Sequence, residues 1–246
     1  MRATVLAIVA AVALLSLSAT SQALAGPVRG HPRPKPPPQV NGAQLKNALL
    51  PASAFGDGYS IGATLDSGRK LVRQKATVFV PRMSCSDFEM TTTVSGFGNT
   101  AGATEEFSNA NALSQYPTAV FFGWQTVVQF ASDGPATWFF KAAQAKYRSC
   151  TEFTTPNPGD TVPGGGNLNI SLDTVNWTSV AGARAFATSE SVALSESPGM
   201  RKLYLDVLFA LSGTNVYEFW EVSGINDVPY PPMTQLVHRV QALYHR

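Results

Sequence analysis

Hydrophobic alternation is clearest between Phe121 and Ala131. Phe122, Trp124, Thr126, Val128 and Phe130 fall on even positions, with Gly123, Gln125, Val127 and Gln129 between them. Successive strand side chains point to opposite faces, so this spacing predicts a half-buried strand with one heavy face. Ser132-Asp133-Gly134-Pro135 follows. Ser132 or Asp133 can cap a helix by accepting a backbone N–H bond, and Pro135 suits a first turn. Ala136, Phe140, Ala143, Tyr147 and Cys150 then recur at helical spacing on one stripe, while Lys141, Gln144, Lys146 and Arg148 lie off it. The pattern predicts a strand, a tight turn and an amphipathic helix with Cys150 facing inward at its end.

The same reading extends along the chain. Asn41 opens a short helix over Ala43–Leu50, stopped by Pro51. Tyr59–Leu65 and Leu71–Val80 read as strands broken by Asp66-Ser67-Gly68, and Ala103–Ala110 as a further strand. Ser84 can cap a turn or short helix that begins beside Cys85. Pro156–Gly166 is a turn-rich loop. Leu168–Val175 and Ala183–Leu194 read as strands, the second with small residues at Ala183, Ala185, Ala187, Ser189 and Ser191. That flat face suits close packing of a helix better than a floor for a ligand. Arg201–Val222 reads as a hairpin turned at Ser212-Gly213-Thr214-Asn215. Pro231-Pro232 opens a closing helix with Met233, Leu236, Val240 and Leu243 on one stripe. The order predicts a single-domain α+β fold: a largely antiparallel twisted sheet with flanking helices. The helices of Ala136 and Met233 are the candidates to cover the heavy face of Phe122–Phe130.

The N-terminus changes the picture by setting a compartment. Arg2, the apolar run Val5–Leu15 and the small-residue site Ala23-Leu24-Ala25 before Gly26 predict a signal peptide over 1–25, cleaved between Ala25 and Gly26. No twin arginine precedes the apolar run and no cysteine follows it. No later stretch reaches the eighteen or so apolar residues of a span. Residues 26–40 carry interleaved prolines and basic residues and read as an extended linker. The domain proper is expected over 41–246, secreted and extracellular. Cys85 and Cys150 are the two cysteines. In an oxidising compartment they suggest one disulfide, the alternative being two buried free thiols.

Candidate chemistry is sparse. The formal net charge is +2, with no basic nucleic-acid footprint. Gly164-Gly165-Gly166 has no following lysine or helix signal, which excludes a phosphate cradle. Two cysteines and three scattered histidines do not make a zinc site. No nucleophile elbow occurs, and His238 and His245 read as ordinary residues of the last helix. Glu105 and Glu106 should face opposite ways on a strand. Asp173, Asp206, Glu218 and Glu221 read as solvent-facing acids. No catalytic residue, metal ligand or cofactor motif is assigned. Trp124, Trp138, Trp177 and Trp220, with Tyr204 and Tyr217, could line a cleft, though aromatics are also the usual core filling. Trp138, off its helix stripe, and Trp177, at a strand end, are the candidates for exposed ligand contacts.

Several of these segments together resemble a known family. Leu49-Leu50 ends a short opening helix, Gly58-Tyr59 follows, and the run TVVQFASDGPATWFFKAAQAKYRSCTEF joins strand, turn, helix and an arginine-serine-cysteine end. A later strand passes through Gly213 into an apolar strand and a closing helix. Over Asn41–Arg246 the chain resembles the PknH-like extracellular sensor domain of actinobacteria. That domain forms the outer part of certain mycobacterial serine/threonine kinases and also occurs as free secreted proteins and lipoproteins. The resemblance implies a mixed sheet with flanking helices, disulfide bracing with Cys150 and Cys85 as partners, and a cleft for a ligand. The chain departs from the kinase members in having no kinase domain, no span and one possible disulfide instead of two.

The function expected is that of a secreted, non-catalytic, sensor-like ligand-binding domain. Its partner would be an unidentified small molecule or cell-envelope component, and not nucleic acid. The alternatives are a secreted hydrolase acting on envelope glycans through paired carboxylates, and an envelope protein-interaction module.

Overall fold

A computed structural model describes residues 39–66, 84–85, 99–111, 120–156, 167–194, 203–224 and 230–245. The signal segment with Ala25 and Gly26, most of the linker and the expected strand Leu71–Val80 lie outside the described residues. Those described belong to one compact unit, Pro37–Arg246. The elements are α1 (Gly42–Ala48), β1 (Tyr59–Asp66), β2 (Asn99–Asn109), β3 (Val120–Phe130), α2 (Asp133–Ser149), β4 (Glu152–Pro156), β5 (Asn167–Val180), β6 (Ala183–Leu194), β7 (Leu203–Ser212), β8 (Asn215–Ser223) and α3 (Tyr230–Gln241). Short 3-10 turns at Ala52–Ala54 and Ala242–Tyr244 complete the set.

The eight strands form one sheet in the order β1-β2-β3-β8-β7-β6-β5-β4. Every neighbouring pair is antiparallel. The α+β architecture is therefore as expected, while the mixed sheet implied by the resemblance is all antiparallel among the described strands. A first meander, β1 to β3, hands over to α2. A second meander, β4 to β8, then returns so that β8 lies against β3. The two meanders thus meet at the sheet centre.

Both faces of that centre are buried, which corrects the half-buried reading of β3. Phe122, Val128 and Phe130 join a cluster with Phe139, Phe140, Tyr147, Phe186 and Phe209 under α2. Phe186 and Phe209 stack at 5.1 Å, and Phe140 meets Phe186 edge-on at 5.2 Å. Burying each such ring stabilises the fold by roughly 1.5–3 kcal/mol. On the opposite face Val127, Phe107, Leu208, Tyr217 and Phe219 pack with Leu45, Leu49 and Leu50 of the α1 segment and Met233, Leu236, Val237 and Val240 of α3. Among the described residues, then, α2 covers the heavy face of β3 without α3, and α3 covers the other face. A sheet with apolar groups on both sides needs a helix layer on each. Ala183, Ala185 and Ala187 lie in this second cluster, so the flat face of β6 is packed core.

Local details follow from their residues. Asn41 caps α1 in a capping box with Gln44, two reciprocal bonds of 2.9 Å. Ser132 occupies the cap position of α2, but its side chain makes no capping bond. Phe139 and Gln144 are buried as well as the expected stripe, because a helix on a broad sheet buries more than one row. β5 runs to Val180, so Trp177 lies within the strand and not at its end. β4, an edge strand of five residues, is too short to show an alternation that could be read from sequence. The disulfide Cys85–Cys150 is formed, with Cα atoms 5.6 Å apart, and ties the C-terminal end of α2 to the first half of the chain.

The carboxylates need a second correction. Asp206 and Glu221 are buried, at 0% and 5% exposure, and do not face solvent. They are directly opposed across β7 and β8, on the face away from α2. Glu105 and Glu106 do face opposite ways. Glu105 accepts from Thr64 Oγ1 at 2.7 Å and from Gln125 Nε2 at 2.9 Å, whereas Glu106 pairs in register with Trp124.

Candidate functional site

β3 is antiparallel to β8, so the last residues of β3 lie beside the first residues of β8. Gln129 is in register with Asn215, and the Phe130 N–H donates to the Thr214 carbonyl at 2.9 Å. At this sheet end β7 turns into β8 through Gly213 and Thr214, with Ser212 opposite Asn215. Gly213 takes φ +56°, a left-handed value that a Cβ disfavours and a two-residue hairpin loop requires. Asp133 starts α2 at the same end, within 4.0 Å of where a Gly213 Cβ would stand. The end of α3 and its terminal 3-10 turn arrive from the other face.

These segments line a shallow, open cavity of about 480 Å³ formed by Asp133, Ser212, Gly213, Thr214, Asn215, Gln241, Tyr244 and His245. Small-molecule sites span roughly 300–1,000 Å³. Its inner wall is a hydrogen-bonded network. Tyr244 Oη donates to Asn215 Oδ1 at 3.0 Å and accepts from Gln129 Nε2. Gln129 Oε1 in turn accepts from the Val40 N–H at 3.2 Å. Gln241 Nε2 donates to Ser212 Oγ at 3.3 Å. Thr214 and Asn215 are buried, which fixes their polar groups. Burial pushes the Tyr244 phenol above tyrosine's ordinary value, with hydrogen bonds to Asn215, Gln129 and Thr214 opposing the shift. Behind this wall Tyr217 is fully buried and its hydroxyl has no hydrogen-bond partner among the described residues. Desolvation, and then proximity to Tyr244, hold its pKa far above the ordinary range.

The aromatic candidates divide. Trp124 and Trp220 pack against each other at 4.6 Å and against Phe122, so both belong to the core under α2. Tyr217 is core on the other face. Trp138 and Trp177 are exposed, at 43% and 59%. The guanidinium of Arg148 lies 5.4 Å from the Trp177 ring centre, a cation–π arrangement. Arg148 is ten residues beyond Trp138, roughly 15 Å along α2 at 1.5 Å per residue. Neither tryptophan lines the cavity at the hairpin tip. The residues that do line it were legible only as turn, cap and terminal residues, since polar groups beside a turn carry no distinct signal of a site.

Among the described residues no cluster of three or more His, Cys, Asp or Glu is placed to hold a metal ion. Among them, too, no helix is long and apolar enough to cross a membrane.

No family model matches the chain. No curated protein matches it either. Among solved structures, the extracellular domain of PknH from Mycobacterium tuberculosis superposes with a TM-score of 0.54 at 14% identity, covering 86% of this chain and 99% of that one. An uncharacterised protein from Mycobacterium smegmatis, the Rv0999 ortholog, aligns with a TM-score of 0.35 at 11% identity, over 81% of this chain and 96% of that one. The first likeness shows a PknH-like extracellular-domain fold.

Proposed function

We propose that the chain is a secreted, non-catalytic ligand-binding domain of the sensor type. The cavity between the β7–β8 turn, the start of α2 and the end of α3 carries this reading: it is ligand-sized and walled by fixed polar groups. The fold shared with an extracellular domain, the disulfide and the signal-like N-terminus support the compartment. A hydrolase working through paired carboxylates is less well supported. Asp206 and Glu221 lie side by side within one buried sheet face and not across a cleft with room for a substrate.

A thermal-shift screen of the full chain tests the reading, using neutral, anionic and cationic small molecules with envelope fragments among them. A ligand that binds the native state raises the melting temperature in proportion to its saturation. A dose-dependent rise that is lost in Tyr244→Ala supports the cavity as the site. No shift with any compound contradicts the proposal.

A further inference from the structure

We infer that the cavity takes an uncharged, hydroxyl-rich ligand: a free sugar or the sugar unit of a polymer. This rests on the ligand-binding reading above and goes further by naming the chemistry. The lining supplies two neutral amides, Asn215 and Gln241, three hydroxyls, Ser212, Thr214 and Tyr244, one imidazole, His245, and one carboxylate, Asp133. No lysine or arginine is among these lining residues. A phosphate or carboxylate ligand would meet Asp133 with no cation to balance it. A metal ion would find a single carboxylate where hard cations take six or more oxygens. An apolar ligand would strip water from the exposed polar groups of the lining, Asp133 and His245 among them, and return no hydrogen bonds.

A sugar hydroxyl both donates and accepts, and so does this wall. Amides offer N–H and C=O together, hydroxyls offer either role, and a carboxylate accepts from two vicinal hydroxyls. Tyr244 adds the aromatic ring against which the C–H face of a pyranose can lie. The wall is pre-organised, because Asn215 is held by Tyr244, Tyr244 by Gln129, and Gln241 by Ser212. Holding donors and acceptors in place before the ligand arrives lowers the ordering cost of binding.

The test follows the side-chain NH2 resonances of Asn215 and Gln241 in the 15N-labelled full chain during titration with D-glucose, myo-inositol and maltotriose. Inorganic phosphate and choline are the comparison probes. Saturable shifts of both amides with at least one of the three hydroxylated compounds, and none with phosphate or choline, are expected. Asp133→Ala and Gln241→Ala, exposed or half-buried positions, should keep a native spectrum and weaken that binding about tenfold. A trisaccharide bound at least tenfold more tightly than glucose points to a polymer unit, and equal affinities point to the free sugar. Shifts driven by phosphate or choline alone overturn the sugar inference while leaving ligand binding standing. Sugar-induced shifts at the Trp177 indole in place of the amides overturn the site. Amides unmoved by all five probes overturn the inference, and the thermal-shift screen then decides separately whether the ligand-binding reading survives.

Discussion

Gln125 on β3 satisfies both backbone groups of Leu50, accepting from its N–H and donating to its carbonyl, each at 2.8 Å. The two residues lie 75 positions apart, and exposure is 0% for Gln125 and 1% for Leu50. One amide side chain thus does for the α1 segment what a neighbouring strand would do. Gln129 makes half of this contact at Val40, accepting from its N–H, and Arg239 of α3 donates to the carbonyls of Ala48 and Asn47 at 2.8 and 3.1 Å.

Gln125→Leu should therefore destabilise the fold by about 3 kcal/mol, since it strands a buried N–H and a buried C=O at about 1–3 kcal/mol each. Gln125→Glu should be worse at neutral pH. It loses the donor to Leu50 and places a carboxylate where Gln125 Nε2 now stands 2.9 Å from Glu105 Oε2. Chemical denaturation of the two variants checks the order. Equal, small effects would mean that the α1 segment is held by its leucines alone.

Gly123 has no room for a methyl group. A Cβ there would stand 2.6 Å from the Phe107 ring and press on the Trp220 carbonyl. Gly123→Ala should cost about 2 kcal/mol by overpacking and lower the melting temperature by about 5 °C. An unchanged melting temperature would show that β2 and β8 yield freely around it.

The disulfide closes a separation of 65 residues. In the chain-entropy picture it stabilises the native state by about 4 kcal/mol. Unfolding of Cys85→Ser/Cys150→Ser against the oxidised protein measures this, and a difference below about 1 kcal/mol would contradict it.

Tyr217 gives a prediction of the opposite sign. Its buried hydroxyl lacks a partner among the described residues, so Tyr217→Phe should stabilise the fold by about 1 kcal/mol at neutral pH. The pKa values of Tyr217 and Tyr244 are both raised in the folded state. A raised phenol stabilises the fold fully below its unfolded value near 10, and that contribution is lost as pH rises above it. Stability should thus fall above about pH 10, and Tyr217→Phe should soften the fall. Destabilisation by Tyr217→Phe, or an unaltered alkaline limb, would contradict the account.

How far the chain could be read in advance follows from these residues. The face of Phe122–Phe130 and the α2 stripe announce themselves through strict periods of two and near four. Gln125 and Gln129 look like the wet side of the same strand, because nothing local shows that their partners come from Leu50 and Val40, some 75 and 89 residues earlier. Asp206 and Glu221 misled for the same reason: burial on a second sheet face is a property of topology and not of the strand's own pattern. The cavity was not legible, since Asp133, Asn215, Gln241 and Tyr244 come together only when the hairpin tip meets the ends of two helices.

The central claim is that the hairpin-tip cavity is a sugar site. A crystal structure of the protein grown with glucose or maltotriose tests it most directly. The account predicts a pyranose in the cavity, its hydroxyls within hydrogen-bond distance of Asn215, Gln241 and Asp133 and its ring against Tyr244. A cavity holding only solvent, with sugar against Trp177 or nowhere on the protein, would contradict it.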